Sequence, residues 1–129
     1  MIALDMTVVV RLLVADDAEQ AVRARQLVAD NEVLVATTVL LECEWVLRSA
    51  YRIPTSAIGN GFEKLIGMAQ LTMTEPHVVQ DALFGYRHGL DFADALHLAG
   101  SREAGTFATF DKTLRKRAGM RPEIDVIEP

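Results

Sequence analysis

Short apolar runs alternate with longer stretches of helical spacing from one end of the chain to the other. Ile2-Ala3-Leu4 is an apolar run that stops at Asp5, and Thr7 to Val14 follows before a polar break at Asp16-Asp17. The pattern predicts a strand, a helix, and a second helix from Ala18 to Ala29 capped by Asp16 and Asp17. Val33 to Ala36 is a second strand, and Thr37-Thr38 offer hydroxyl caps to an apolar helix from Val39 to about Tyr51, ended by Ile53-Pro54. Pro54 and Thr55 open a helix through Ile66, Leu71 to Met73 reads as a third strand, and Pro76 takes the first turn of a helix that stops near Gly89. Asp91 precedes the helical segment Phe92 to Ala99, which Gly105 closes. Thr106 to Thr109 is a fourth strand, Lys112 to Ala118 a helix, and Ile124 to Ile127 a fifth strand.

Strands that alternate with helices in this way pack as a mostly parallel sheet covered on both faces, an α/β architecture. With no repeat or linker, residues 1–129 read as one domain, and 129 residues at 50% hydrophobic content suffice for a core without disulfides or structural metal. Cys43 stands alone, which excludes an internal disulfide and a cysteine zinc cluster and fits a core position in a reducing compartment. The apolar stretch Met6 to Ala15 is short and interrupted by Arg11, so no membrane segment is expected and the expected location is the cytoplasm. The formal net charge of −5 argues against a bulk positive field, so any nucleic acid must be held by a local basic patch.

Ligands of such sheets bind beyond the carboxyl ends of the strands, and acids stand at those junctions. Asp5 follows the first strand, Asp111 follows the fourth, and Asp91 with Asp94 opens the helix before it; Glu42 lies early in the helix after the second strand. Each aspartate has a structural explanation as a helix cap, worth typically ~1 kcal/mol, and Asp91 is read that way here. Glu42 and Asp94 sit among apolar chain neighbours, so both are expected away from solvent, and neither has a Lys or Arg three or four residues away. Acids gathered without a cationic partner suggest a divalent ion, and an all-oxygen ligand set favours Mg²⁺ or Mn²⁺ over zinc. His77, His88 and His97 show no metal-ligand pairing and are read as structural. Walker loops, serine-hydrolase elbows and dinucleotide glycine fingerprints are absent. Leu13-Val14-Ala15-Asp16-Asp17 is similar to the acidic pair of a receiver domain, but no aspartate occurs between Asp30 and Asp81 to serve as phosphoacceptor.

The segments Leu4-Asp5-Met6-Thr7-Val8-Val9-Val10-Arg11, Leu40-Leu41-Glu42-Cys43-Glu44-Trp45-Val46-Leu47-Arg48, Asp91-Phe92-Ala93-Asp94-Ala95-Leu96-His97 and Thr109-Phe110-Asp111-Lys112-Thr113-Leu114 together resemble the PIN domain family, specifically its VapC-type toxin ribonucleases. The resemblance implies a three-layer α/β/α sandwich with a mostly parallel five-stranded sheet. It also implies a Mg²⁺- or Mn²⁺-dependent endoribonuclease with Asp5, Glu42, Asp94 and Asp111 as metal-binding catalytic acids, supported by Thr7, Asp91 and Thr109. By the same resemblance the chain is the toxin of a type II toxin-antitoxin pair, with RNA as substrate, a VapB-type antitoxin as partner, and a homodimer as its assembly. The first motif departs from the family, which usually has Asp-Thr-Asn or Asp-Ser-Ser where this chain has Asp5-Met6-Thr7. Met6 therefore favours one alternative, a catalytically weak or inactive PIN-like interaction domain.

A carboxylate-held divalent ion would activate water and stabilise charge on the phosphodiester oxygens. Of the net charge of −5, four units belong to these acids, so the rest of the chain is nearly neutral once a cation is bound. Arg11, Lys112, Arg115, Lys116 and Arg117 are the candidate RNA contacts, although the last four also suit a helix C-terminus and its dipole. The apolar faces of Leu40 to Tyr51 and Ile58 to Met68 are candidates for dimer contact or for core.

Overall fold

The computed structural model describes residues 1–119 and 123–129. Two compact units are built in succession, Met1–Pro76 and His77–Pro129. The first contains β1 (Ile2–Ala3), α1 (Met6–Leu13), α2 (Ala18–Asp30), β2 (Val33–Val35), α3 (Thr37–Ser49), α4 (Thr55–Ile66) and β3 (Leu71–Met73). Its strands form one parallel sheet in the order β1-β2-β3, with Ile2 opposite Val33 and Val33 opposite Leu71. Val33 and Val35 are buried, as are Val9 and Val10 of α1 and Phe62 and Leu65 of α4.

Local chemistry explains where these elements begin. Asp5 caps α1 and Asp17 caps α2, the latter accepting the Gln20 N–H at 3.0 Å. The expected hydroxyl cap of α3 is not found: the helix starts at Thr37, behind Ala36, which offers no side-chain bond. The Thr37 N–H donates instead to Thr74 Oγ1 at 3.1 Å, and the Thr37 hydroxyl donates to Glu75 at 2.7 Å. The chain after β3 thus satisfies an amide that a local cap would otherwise serve. Asp16, expected as a cap, joins a network in which Arg11 donates to Gln20 Oε1 at 2.8 Å, to Asp16 at 2.9 Å and to the Tyr51 oxygen at 3.0 Å. The Tyr51 hydroxyl in turn donates to Asp16 at 3.0 Å, which ties the end of α3 to the α1–α2 connection.

The second unit carries α5 (Pro76–Arg87), α6 (Phe92–Gly100), a 3₁₀ turn (Arg102–Ala104), β4 (Thr106–Ala108), α7 (Lys112–Ala118) and β5 (Asp125–Ile127). Strands β4 and β5 pair in parallel, with Phe107 opposite Val126. In place of one five-stranded ladder, hydrogen bonding among the described residues joins three strands in the first unit and two in the second, so each ladder closes within its own unit. Gly105 does not close α6, which stops at Gly100; it closes the 3₁₀ turn, where its φ of +78° requires the left-handed region. The edge of Tyr86 packs on Phe92 with centroids 5.1 Å apart, and both are buried. Among the described residues no helix is long and apolar enough to cross a membrane.

Removing the Tyr51 hydroxyl takes one hydrogen bond from half-buried Arg11 and one from exposed Asp16. Tyr51→Phe is expected to lower stability by about 1 kcal/mol, read as a lower urea midpoint with an unchanged slope.

Candidate functional site

The acids of the first unit lie where α1 and α3 pack together. Asp5 follows β1 and accepts the Thr7 hydroxyl at 2.9 Å and the Thr7 N–H at 3.5 Å. Its carboxyl is held below the usual value, first by the Thr7 hydroxyl and then by the Met6 and Thr7 amides. The Asp5 side chain is therefore capped by the same hydroxyl residue that the sequence singled out for support, while Met6 contributes through its backbone. The Met6 carbonyl also faces the Cys43 thiol of α3, with sulfur and oxygen 3.9 Å apart.

Cys43 is fully buried, and its thiol is pushed up to about 12 by burial first and then by the charges of Glu42 and Asp5. Both carboxylates thus bear on one buried thiol, which keeps Cys43 protonated and inert. Glu42 itself is exposed, contrary to the expectation from its apolar chain neighbours. The buried stripe of α3 is Leu40, Cys43, Glu44 and Leu47, three and four residues apart, and Glu42 falls outside it. The acid that is buried is Glu44, 2% exposed, and Arg48 one turn later donates to it at 2.8 Å. That pairing was visible as Glu-x-x-x-Arg spacing. Leu40 and Leu47 of α3 and Ile58, Phe62 and Leu65 of α4 are all buried, and Trp45 is the large apolar side chain that α3 leaves exposed.

In the second unit three aspartates surround the start of α6 and of α7. Asp91 caps α6 by accepting the Asp94 N–H at 3.3 Å. Asp111 caps α7 by accepting the Thr113 N–H at 2.9 Å and the Leu114 N–H at 3.0 Å. Thr109 Oγ1 accepts the Asp111 N–H at 3.0 Å, so this threonine fixes the backbone that carries the acid. Asp94 is half-buried, and its carboxyl is pushed up by burial first and then by Asp91 and Asp111, with His97 pulling the other way. His97 lies three residues along the same helix from Asp94 and is exposed. His88 is exposed and stacks on Phe84 with centroids 4.2 Å apart.

The PIN domain family model matches residues 2–120. The chain belongs to the PIN domain family. PIN domains are generally nucleases and are typically metal-dependent. No curated protein and no solved structure matches the chain. The PIN acids of this chain offer only oxygen donors, which suits a hard divalent ion. Among the described residues, however, no three or more His, Cys, Asp or Glu side chains gather into a set able to hold one. The structure groups Asp5 and Glu42 about Cys43 in the first unit, and Asp91 and Asp111 about Asp94 in the second.

The basic residues divide by their partners. Arg11 is engaged by Gln20, Asp16 and Tyr51, and its charged form is favoured first by the Tyr51 hydrogen bond. Arg115 pairs with Glu128 at 3.3 Å, and Arg117 donates to the Gly89 carbonyl at 3.0 Å. Lys112 and Lys116 are exposed on α7 with no ion pair among the described residues.

Two predictions follow from these carboxyls. Thr7→Val removes the main cause of the low Asp5 titration, so the Asp5 carboxyl should move up toward its ordinary value in an NMR titration. For Asp94 the sign is opposite: a raised folded value makes its ionised form a cost to folding that is absent below the unfolded carboxyl range, grows as pH rises through the folded value, and persists above it. Asp94→Asn in EDTA should therefore melt higher than the parent at neutral pH, with the gap closing as the pH falls below 4, roughly the unfolded carboxyl value.

Proposed function

We propose that this PIN domain is an endoribonuclease that hydrolyses RNA phosphodiester bonds with Mg²⁺ or Mn²⁺ held by Asp5, Glu42, Asp94 and Asp111. The observation that carries the reading is the PIN family match over residues 2–120, supported by Asp94, a half-buried carboxyl whose titration is raised first by burial and then by the charges of Asp91 and Asp111. A fold that maintains this local repulsion gains by binding a cation there.

The chain's own contributions follow from its hydrogen bonds. Asp5, lowered by Thr7, is ionised across the neutral range and presents a charged oxygen at the end of β1. Asp111 is aimed by two amides of α7 and by Thr109, which leaves its second oxygen to orient a water or a metal-bound ligand. Asp94 contributes a half-buried carboxylate in the first turn of α6. When bound, a divalent ion would supply Lewis-acid stabilisation of the phosphodiester oxygens and a more acidic water. Exposed Glu42 suits an outer contact to the ion through water.

The finer reading is that the chain is a VapC-type toxin of a type II pair, held inactive by a VapB-type antitoxin and acting as a homodimer. It rests on the four motif segments whose order and placement resemble that subfamily. The bond from Thr7 to Asp5 weighs against an inactive variant, because the hydroxyl support that Met6 lacks is supplied by the next residue.

The test is cleavage of a labelled cellular RNA pool in Mg²⁺, Mn²⁺ or EDTA, beside an Asp94→Asn control purified identically. Metal-dependent fragments are expected from the parent and not from the control. Melting should rise with metal, by about 2.7 kcal/mol in stability at a hundredfold excess over Kd, and the rise should shrink in Asp94→Asn. Melting that ignores millimolar metal, together with no cleavage, would sink the proposal.

A further inference from the structure

Among the described residues Phe110 is the most exposed large hydrophobic side chain, at 75%, and it stands between Thr109 and Asp111. Its backbone is not loose. The Thr109 N–H donates to the Ile127 carbonyl at 2.9 Å, the Asp111 N–H donates to Thr109 Oγ1, and the Asp111 carboxylate holds the first turn of α7. An aromatic ring is thus held out in water on an ordered backbone beside a site acid. A ring whose backbone is already ordered loses little freedom on binding a flat partner.

The next residues continue the surface. Lys112, Thr113, Lys116 and Arg117 line an open groove of about 480 Å³ along α7. Lys112 and Lys116 are one turn apart on one face, and the Arg117 guanidinium is anchored on the Gly89 carbonyl at the edge of that groove. Arg115 lies off the groove, paired with Glu128. In a chain of net charge −5, this is a local concentration of positive charge that starts immediately after an acid of the proposed nuclease site.

We propose that Phe110 is a base-stacking residue and that the α7 groove is the phosphate track leading from it, so that RNA is held by a ring at the acid end and by Lys112 and Lys116 beyond. Charge complementarity and the adjacent π-face select the occupant: a single strand offers both free base faces and phosphates, whereas a duplex buries the faces. Arg117, held by Gly89, shapes the wall of the track, and Thr113 gives it a neutral hydroxyl contact. This inference rests on the nuclease reading for its biological setting but not for its test.

The test is fluorescence anisotropy of a short labelled oligouridylate with the full chain in EDTA, where no cleavage intervenes. Phe110→Ala should weaken binding about tenfold or more, Phe110→Trp should restore it, and Phe110→Leu should not. Lys112→Ala and Lys116→Ala should each lower the slope of log Kd on log salt by about 0.7. An RNA duplex should bind more weakly and be indifferent to Phe110→Ala. The proposal is overturned by a parent that does not bind the oligonucleotide, by Phe110→Ala binding like the parent, or by Phe110→Leu restoring binding as well as Phe110→Trp. If metal-dependent cleavage fails while Phe110→Ala still loses the oligonucleotide, the nuclease reading falls and the RNA track stands. If cleavage holds while Phe110→Ala binds and cleaves like the parent, the track falls and the nuclease stands.

Discussion

Helix capping by aspartate is the interaction on which both the fold and the candidate site depend. Asp5, Asp91 and Asp111 each stand immediately before a helix and accept its first free amides. A carboxylate at this position satisfies an orphan donor and meets the positive end of the helix dipole, so its charge is tolerated where several acids stand close. Structural and chemical roles are therefore not rivals here. The cap fixes one oxygen and aims the other, and the bond that begins the helix also orients the acid.

The same constraint explains why the acids differ. Asp5 receives a hydroxyl and amides and is held low, whereas Asp94, inside its helix, is raised first by burial and then by the charges of Asp91 and Asp111. Asp94 is therefore the costlier charge to keep in the folded chain, since burial and two acidic neighbours all oppose it.

Much of the fold was legible because short apolar runs bounded by polar caps leave few alternatives. Leu71–Met73 and Lys112–Ala118 matched to the residue, and the caps at Asp5, Asp91 and Asp111 followed from residue type and place. What misled was reading environment from chain neighbours. Glu42 has apolar residues on both sides in sequence, yet a helix places neighbours about 100° apart and the buried stripe passes through Glu44 instead. The start of α3 departs from its local pattern for a related reason: Thr37 is served by Thr74 and Glu75, contacts 37 and 38 residues away that no local pattern encodes. The family was legible in the spacing of motifs, since the PIN match spans residues 2–120.

Charge placement is the remaining link between this fold and a polyanionic partner. An acidic chain repels RNA at long range, and screening over roughly 8 Å at physiological salt confines that repulsion to near neighbours. What matters is then the local order of charges, and in this chain Asp111 and Lys112 are consecutive. The change of sign along the chain coincides with the cap of α7, where Asp111 accepts the Thr113 and Leu114 amides and Lys112 and Lys116 follow one turn apart. Phe110 sits at that boundary. A polyanion held on the basic side would be brought to the adjacent acid by geometry rather than by net attraction.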